Sequence, residues 1–230
     1  MLSSAAHTLL RQRFNLLVLL GASLTLCTVL VVFRVFLTYQ ITFVFLLWNL
    51  FLAVVPFGLS LMLGMVSASA RQRLLVPVGA VWLLFFPNAP YILTDLFHLH
   101  PRPGMPYWYD LALLLTAAWT GLMLAYASLL DMQRYVHERL GSALSWAFTV
   151  LALGLSGFGV YLGRYLRWNS WDIVTNPLGL AYDILDRVLN PFSHPRTWGV
   201  TLLFGVFLLL GYLTVRQLGR LTQSPIEPLR

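Results

Sequence analysis

Lysine is absent from the chain, and all fifteen of its basic residues are arginines, for a formal net charge of +7. Charge of either sign is scarce. Only 10% of the 230 residues are charged, and eight of them are acidic. A soluble domain has about 25% charged and about 45–50% apolar residues. Here 59% are hydrophobic and the mean hydropathy is +0.76, which excludes an ordinary soluble fold. The single cysteine, Cys27, excludes an internal disulfide. It lies within an apolar run, where a thiol acts as a small packing residue. Leu24-Thr25-Leu26 before it lacks the small residue that a lipoprotein cleavage site places ahead of its cysteine. No arginine-rich run with interleaved aromatics is present, so no nucleic-acid partner is expected. The basic balance instead reports topology and contact with anionic headgroups.

Long apolar runs organise the rest. A bilayer core takes roughly 20 mostly apolar residues per helix. Residues 14–33, 41–66, 111–130, 143–163 and 198–215 satisfy this. The first follows Arg11 and Arg13 but is too long for the ~7–15-residue apolar core of a signal peptide. It reads as a retained span. The second carries Asn49 and Pro56, a kink position. A further run starts at Leu74 and meets Pro87 after 13 residues, or ~20 Å of helix against ~30 Å of hydrocarbon. It must continue through the break, making a third span of 74–93 with irregular backbone at membrane depth. Such backbone is tolerated only inside protein or beside a watery cavity. Asn88 is a good N-cap for a new half-helix. The expected fold is therefore an all-α integral membrane protein forming one polytopic domain over 1–230. It has about six transmembrane helices, the third broken at Pro-Asn-Ala-Pro, and one interfacial amphipathic helix over 177–190. Asp131 to Arg139 reads as a short polar connection, and Gly159 and Gly163 form a GxxxG spacing that predicts close helix contact.

Arginine counting sets the orientation. With the amino terminus inside, Arg11, Arg13, Arg71, Arg73, Arg134, Arg139, Arg216, Arg220 and Arg230 face inward. Arg34, Arg102, Arg164, Arg167, Arg187 and Arg196 face outward. The expected location is the cell (inner) membrane, multi-pass, with both termini cytoplasmic.

That orientation gathers three polar stretches at the outer face. Beyond the break, Asn88, Tyr91, Asp95 and His98 recur at spacings of three, four and three, which is one helix face. Asp110 follows Trp108 and Tyr109 at the mouth of the fourth span. Arg164, Arg167, Asn169 and Asp172 lie in GRYLRWNSWD after the fifth. Ionisable groups near the membrane are costly unless paired or hydrated, and are by default candidates for function. These nine residues are the candidate ligand-binding set. Arg164 and Arg167 present the forked donors that suit phosphate or carboxylate, or they pair with the nearby aspartates. Trp168 and Trp171 read as interfacial belt residues. Asp95 and His98, with His100 or His194, are the low-priority candidates for a single metal ion. No Gly-x-Ser-x-Gly elbow, phosphate loop or His-Glu-x-x-His motif is present.

FFPNAPYILTDLFHL, the WYD at 108–110 and GRYLRWNSWD at 163–172 resemble a family of uncharacterised bacterial membrane proteins, domain of unknown function thirteen-sixty-one. The resemblance runs from the second helix to the sixth. It implies a shared multi-span fold with these motifs as the family's site, and supplies no activity or cofactor. Three functional readings follow. In the first, an outer-face polar pocket binds a small anionic ligand or lipid headgroup. In the second, an intramembrane hydrolase or transferase acts on lipid-linked substrates, with Asp95 and Asp110 in acid–base roles. In the third, a scaffold uses the polar motifs to lock its helices.

Overall fold

The computed structural model describes residues 4–221, with side chains from residue 9 onward. Over that range the regular structure is helix alone. Helix α1 is Ser4–Thr38, α2 Phe45–Met65 and α3 Ala68–Phe85. A single turn, α4 (Asn88–Tyr91), passes into a 3-10 helix, Ile92–His98. Then come α5 (Tyr107–Tyr165), the short α6 (Asp172–Thr175), α7 (Pro177–Leu189) and α8 (Pro195–Leu221). Five helical stretches are long and apolar enough to cross a membrane: Leu9–Thr38, Phe45–Met65, Ala68–His98, Tyr107–Tyr165 and Pro195–Leu221. Arg230, counted above among the inner arginines, lies outside the described residues.

Helix α5 contains both the fourth and the fifth expected segments. Straight, its 59 residues would extend ~88 Å, nearly three hydrocarbon thicknesses. It breaks at Gly141, where φ is 84° and ψ 179°, a conformation closed to side-chain-bearing residues. The two arms fold back on each other. Trp82 of α3 touches both, donating its indole N–H to Ser128 on the first (2.6 Å) and lying 5.6 Å from the Phe148 ring on the second. Helix α8 also meets both: Tyr126 donates to the Leu208 carbonyl, and Gly157 lies against the backbone at Thr201. The polar connection expected at 131–139 is thus helix; the reversal is left to one glycine.

Side-chain hydrogen bonds tie this hairpin to its neighbours. Ser128, which accepts from Trp82, donates onward to the Pro56 carbonyl (3.0 Å), so one relay joins α3, α5 and α2. Helix α2 continues through Pro56. Trp82 is fully buried and stacks on Phe86 at 4.3 Å.

Polar groups collect at the two ends of the bundle. At the end where α5 reverses, Arg13 pairs with Asp131, Ser60 donates to the same carboxylate, and Arg71 pairs with Glu138 at 2.9 Å. At the other end, Arg34 of α1 grips Asp110 of α5 through Nε (2.7 Å) and Nη2 (3.1 Å). Arg102 stands 3.7 Å from the same carboxylate, and the Arg34 and Arg102 guanidinium groups each lie 4.7 Å from the Phe43 ring. Both members of the Arg34–Asp110 pair are buried, at 0% and 2% exposure. Removing one partner of such a pair leaves an uncompensated charge and costs about 3–5 kcal/mol, whereas replacing both by apolar residues is often near neutral. Asp110→Ala should therefore lower stability by about 3–5 kcal/mol in detergent unfolding. Joint Arg34→Met and Asp110→Leu should recover most of the loss; a double variant no better than the single would contradict this account.

Candidate functional site

The site starts from the proline break. Pro87 and Pro90 have no N–H, so the ladder of α3 cannot run on. The structure repairs it locally: Ala89 N–H donates to the Phe86 carbonyl (3.2 Å), and Tyr91 N–H to that of Pro87 (3.1 Å). Asn88 is not the expected N-cap. Pro87 holds that position, and Asn88 reaches back to donate from Nδ2 to the Phe85 carbonyl at 2.9 Å. It thus satisfies an acceptor at the end of α3 rather than a donor at the start of α4. The chain continues as a 3-10 helix rather than an α-helix, and Asn88, Tyr91, Asp95 and His98 still face one cavity.

Glycines hold the break in place. A Cβ at Gly121 would lie 2.6 Å from the Ala89 carbonyl oxygen. One at Gly159 would come within 2.9 Å of Pro87, and one at Gly163 within 2.7 Å of the Tyr91 ring. The broken stretch therefore lies between the two arms of α5, at separations that only hydrogen-sized side chains allow. The GxxxG pair makes the close contact expected of it, with Pro87 and Tyr91 as the elements received.

The cavity beside this stretch has a volume of about 560 Å³. Its walls come from α2 (Phe45, Trp48, Leu52), the end of α3 (Leu83, Leu84) and the second arm of α5 (Leu155, Phe158, Leu162). Residues 168–171 and the Leu180 and Ile184 face of α7 close it. Its polar lining is Asn49, Asn88, Asp95, His98, Asn169 and Ser170, with the Tyr91 ring.

Arg164 lies behind this lining rather than in it. Its guanidinium donates to Asp95 Oδ1 (2.8 Å) and twice to Thr94 Oγ1 (2.8 and 3.1 Å), and lies 3.0 Å from His98 Nε2. Arginine can only donate. His98 Nε2 is therefore the acceptor, and the imidazole is neutral with its proton on Nδ1. The other Asp95 oxygen accepts from Asn49 Nδ2 at 2.8 Å. Asp95 is 2% exposed, so burial is offset by a full ion pair and an amide. Asp95 and His98, the metal candidates, sit in this same geometry. A guanidinium stands between Asp95 and His98 where a cation would bridge them, and His194 pairs with Asp186 (2.8 Å). Among the described residues no three His, Cys, Asp or Glu converge on one point.

Of the nine sequence candidates, Asn88, Tyr91, Asp95, His98 and Asn169 line the cavity and Arg164 braces it. Asp110 does not join them; Arg34 holds it in a separate cluster. Arg167 is exposed, in a left-handed conformation with φ 62°, and does not line the cavity. Asp172 does not line it either, and instead ties the roof together. It accepts from the Asn169 N–H (2.7 Å) and the Thr175 hydroxyl (2.9 Å). Trp168 is more than a belt residue, since its indole N–H donates to Asp183 (2.7 Å), which also binds Arg187 (2.9 Å).

Sequence reasoning missed Asn49, Thr94 and Ser170. Asn49 carried a signal: an amide within an apolar run needs a buried partner. Ser170 exchanges hydrogen bonds with Asn88, accepting at 2.9 Å and donating at 3.2 Å. That pairing across 82 positions has no local signature.

The hydrogen bond from the Asn169 backbone holds the Asp172 carboxyl below its ordinary value of 3.8, and Thr175 adds to this. A depressed carboxylate stabilises the fold above its unfolded pKa, and that contribution is lost as pH falls through the folded value. Asp172→Asn should therefore loosen the roof at neutral pH, read as a change in tryptophan emission. The difference from wild type should fade once the pH drops below 3.8. A difference that persists in acid would rule out the carboxylate as its source.

A family model described as "Protein of unknown function (DUF1361)" matches residues 48–210. No curated protein and no solved structure matches the chain. The matched range contains the break, the roof and every cavity wall residue named above except Phe45, and the chain belongs to the DUF1361 family.

Proposed function

We propose that the protein holds a lipid-like amphiphile in the cavity beside the proline break. The observation that carries this reading is the division of the cavity wall. Phe45, Trp48, Leu52, Leu83, Leu84 and Phe158 form an apolar body, and Asn49, Asn88, His98, Asn169 and Ser170 provide neutral hydrogen-bonding groups. Ligand sites of this kind are mostly apolar, with a few placed polar groups that set orientation. The exposed faces of Trp48 and Trp171, 6.3 Å apart, border it.

The anionic preference expected from Arg164 and Arg167 has little support. Arg164 is neutralised by Asp95, and Arg167 is outside the wall. The head that suits this lining is uncharged or zwitterionic. The enzyme reading is weaker for a related reason. General acid–base work needs a carboxyl or imidazole within reach of the reacting proton. Both Asp95 oxygens and His98 Nε2 are already engaged by Asn49 and Arg164. The scaffold reading accounts for the ion pairs but not for the cavity.

In membrane terms, the two arms of α5 count as separate crossings, giving six. Both termini lie in the cytoplasm and the cavity sits toward the outer face of the inner membrane. Helix α7 lies in the interface: Leu178, Leu185 and Leu189 are exposed while Leu180 and Ile184 face the cavity.

Native mass spectrometry of gently extracted protein tests the ligand. Wild type should carry a bound lipid mass that Leu84→Trp, which fills the cavity, and Asn88→Leu both lose. Wild-type protein free of bound lipid would overturn the proposal. Reporter fusions test the orientation, with insertions at Pro103 and Asn176 expected on the same, extracytoplasmic side. Opposite sides would break it.

A further inference from the structure

A second cavity, of about 290 Å³, opens at the end of the bundle where α5 reverses, between its two arms and the end of α8. Gln133, Arg134, His137, Ser145, Trp146 and Arg216 line it. It is separate from the cavity described above and shares no residue with it.

Gln133 is the informative residue. It is 5% exposed, and its side-chain oxygen accepts from both Tyr212 (2.6 Å) and Arg216. Arginine cannot accept a hydrogen bond, so the amide cannot be turned round. Both N–H donors of Nε2 are thereby directed away from Tyr212 and Arg216, and among the described residues they have no partner. A buried donor left unmade costs about 1–3 kcal/mol. Arg216 is placed alongside. Its guanidinium lies 4.6 Å from the Trp146 ring, and among the described residues no carboxylate pairs with it. The acidic groups that share the first arm of α5 with Gln133 near this end are taken, Asp131 by Arg13 and Glu138 by Arg71, with Arg134 also 3.6 Å from Glu138. The second arm begins beside Ser142, so its first backbone N–H groups add a further positive end. The site is rich in donors and carries excess positive charge, and among the described residues no acceptor meets the Gln133 amide.

We propose that this cavity binds a phosphate group through Arg216, Arg134 and the free amide of Gln133. A membrane phospholipid is one source of that group, because basic pockets between helix ends lie at headgroup depth; inorganic phosphate is the other. Arginine grips phosphate through paired donors, and the phosphate oxygens supply the acceptor that Gln133 lacks.

The test uses full-length protein in phosphate-free detergent, carrying Leu84→Trp so that the first cavity is filled and lipid binding there does not contribute. Thermal unfolding is followed during titration with dioleoylphosphatidylglycerol, with dioleoylglycerol, which has the same chains and no phosphate, and with sodium phosphate. A ligand that binds only the folded form raises the midpoint. Phosphatidylglycerol should raise it and dioleoylglycerol should not. An equal rise with sodium phosphate assigns the site to the free anion. Gln133→Glu keeps an acceptor for Tyr212 and Arg216 but replaces the two donors with a carboxylate oxygen. It should fold and bind the phosphate compound at least about tenfold more weakly. Arg216→Gln should do the same. No shift with either phosphate compound, an equal shift with dioleoylglycerol, or full affinity in both variants would overturn the proposal.

Discussion

Three glycines on the two arms of α5 leave room for a stretch of backbone that has lost its regular hydrogen bonds. Gly121 receives the Ala89 carbonyl, and Gly159 and Gly163 receive Pro87 and the Tyr91 ring. Any larger side chain at these points would push the broken stretch outward. Irregular backbone at membrane depth persists only where protein or water surrounds it. The hairpin provides that shelter, and the rest of the site depends on it. Once the stretch is seated, Asn88, Tyr91, Asp95 and His98 have one direction in which to point.

The charged groups follow the same logic of enclosure. Asp95 and Arg164, Asp110 and Arg34, and Asp131 and Arg13 form three ion pairs, each joining helices distant in sequence. A buried pair of this kind contributes little net stability, and losing one member is expensive. Asn49 and Thr94 complete the Asp95 cluster, which leaves its charge internally balanced. The neighbouring cavity consequently presents amides, a hydroxyl and a neutral imidazole instead of a bare cation. At the opposite end the balance is incomplete, since among the described residues the hydrogen-bond acceptor Arg216 finds is an amide oxygen. The two cavities therefore differ in kind: one apolar with neutral donors and acceptors, the other small and basic.

Much of the architecture can be read from hydropathy alone. Apolar runs locate the long helices because a bilayer core demands about 20 residues of them. The 13 residues before Pro87 announce the break because they are too few to cross. Asn176 with Pro177 announces the start of α7, and the Asn176 side chain does accept from the Gly179 N–H. The reversal at Gly141 is harder to see. Charged residues from Asp131 to Arg139 look like a loop, yet they stay helical because Arg13, Arg71 and the hairpin's own packing satisfy them. Hydropathy has no term for a charge neutralised by another helix.

From composition and spacing alone come the membrane class, the positions of the apolar helices, the interruption at Pro87 and the shared face of Asn88, Tyr91, Asp95 and His98. These are local quantities, set by backbone periodicity and by the missing proline N–H. Partnership among the charges was decided only in three dimensions. Asp110 could have joined Arg164, yet Arg34 reaches it first, and Asp95 takes Arg164 instead. Which carboxylate meets which guanidinium depends on how helices cross, and crossing is set by glycine contacts and side-chain volumes spread over the whole chain.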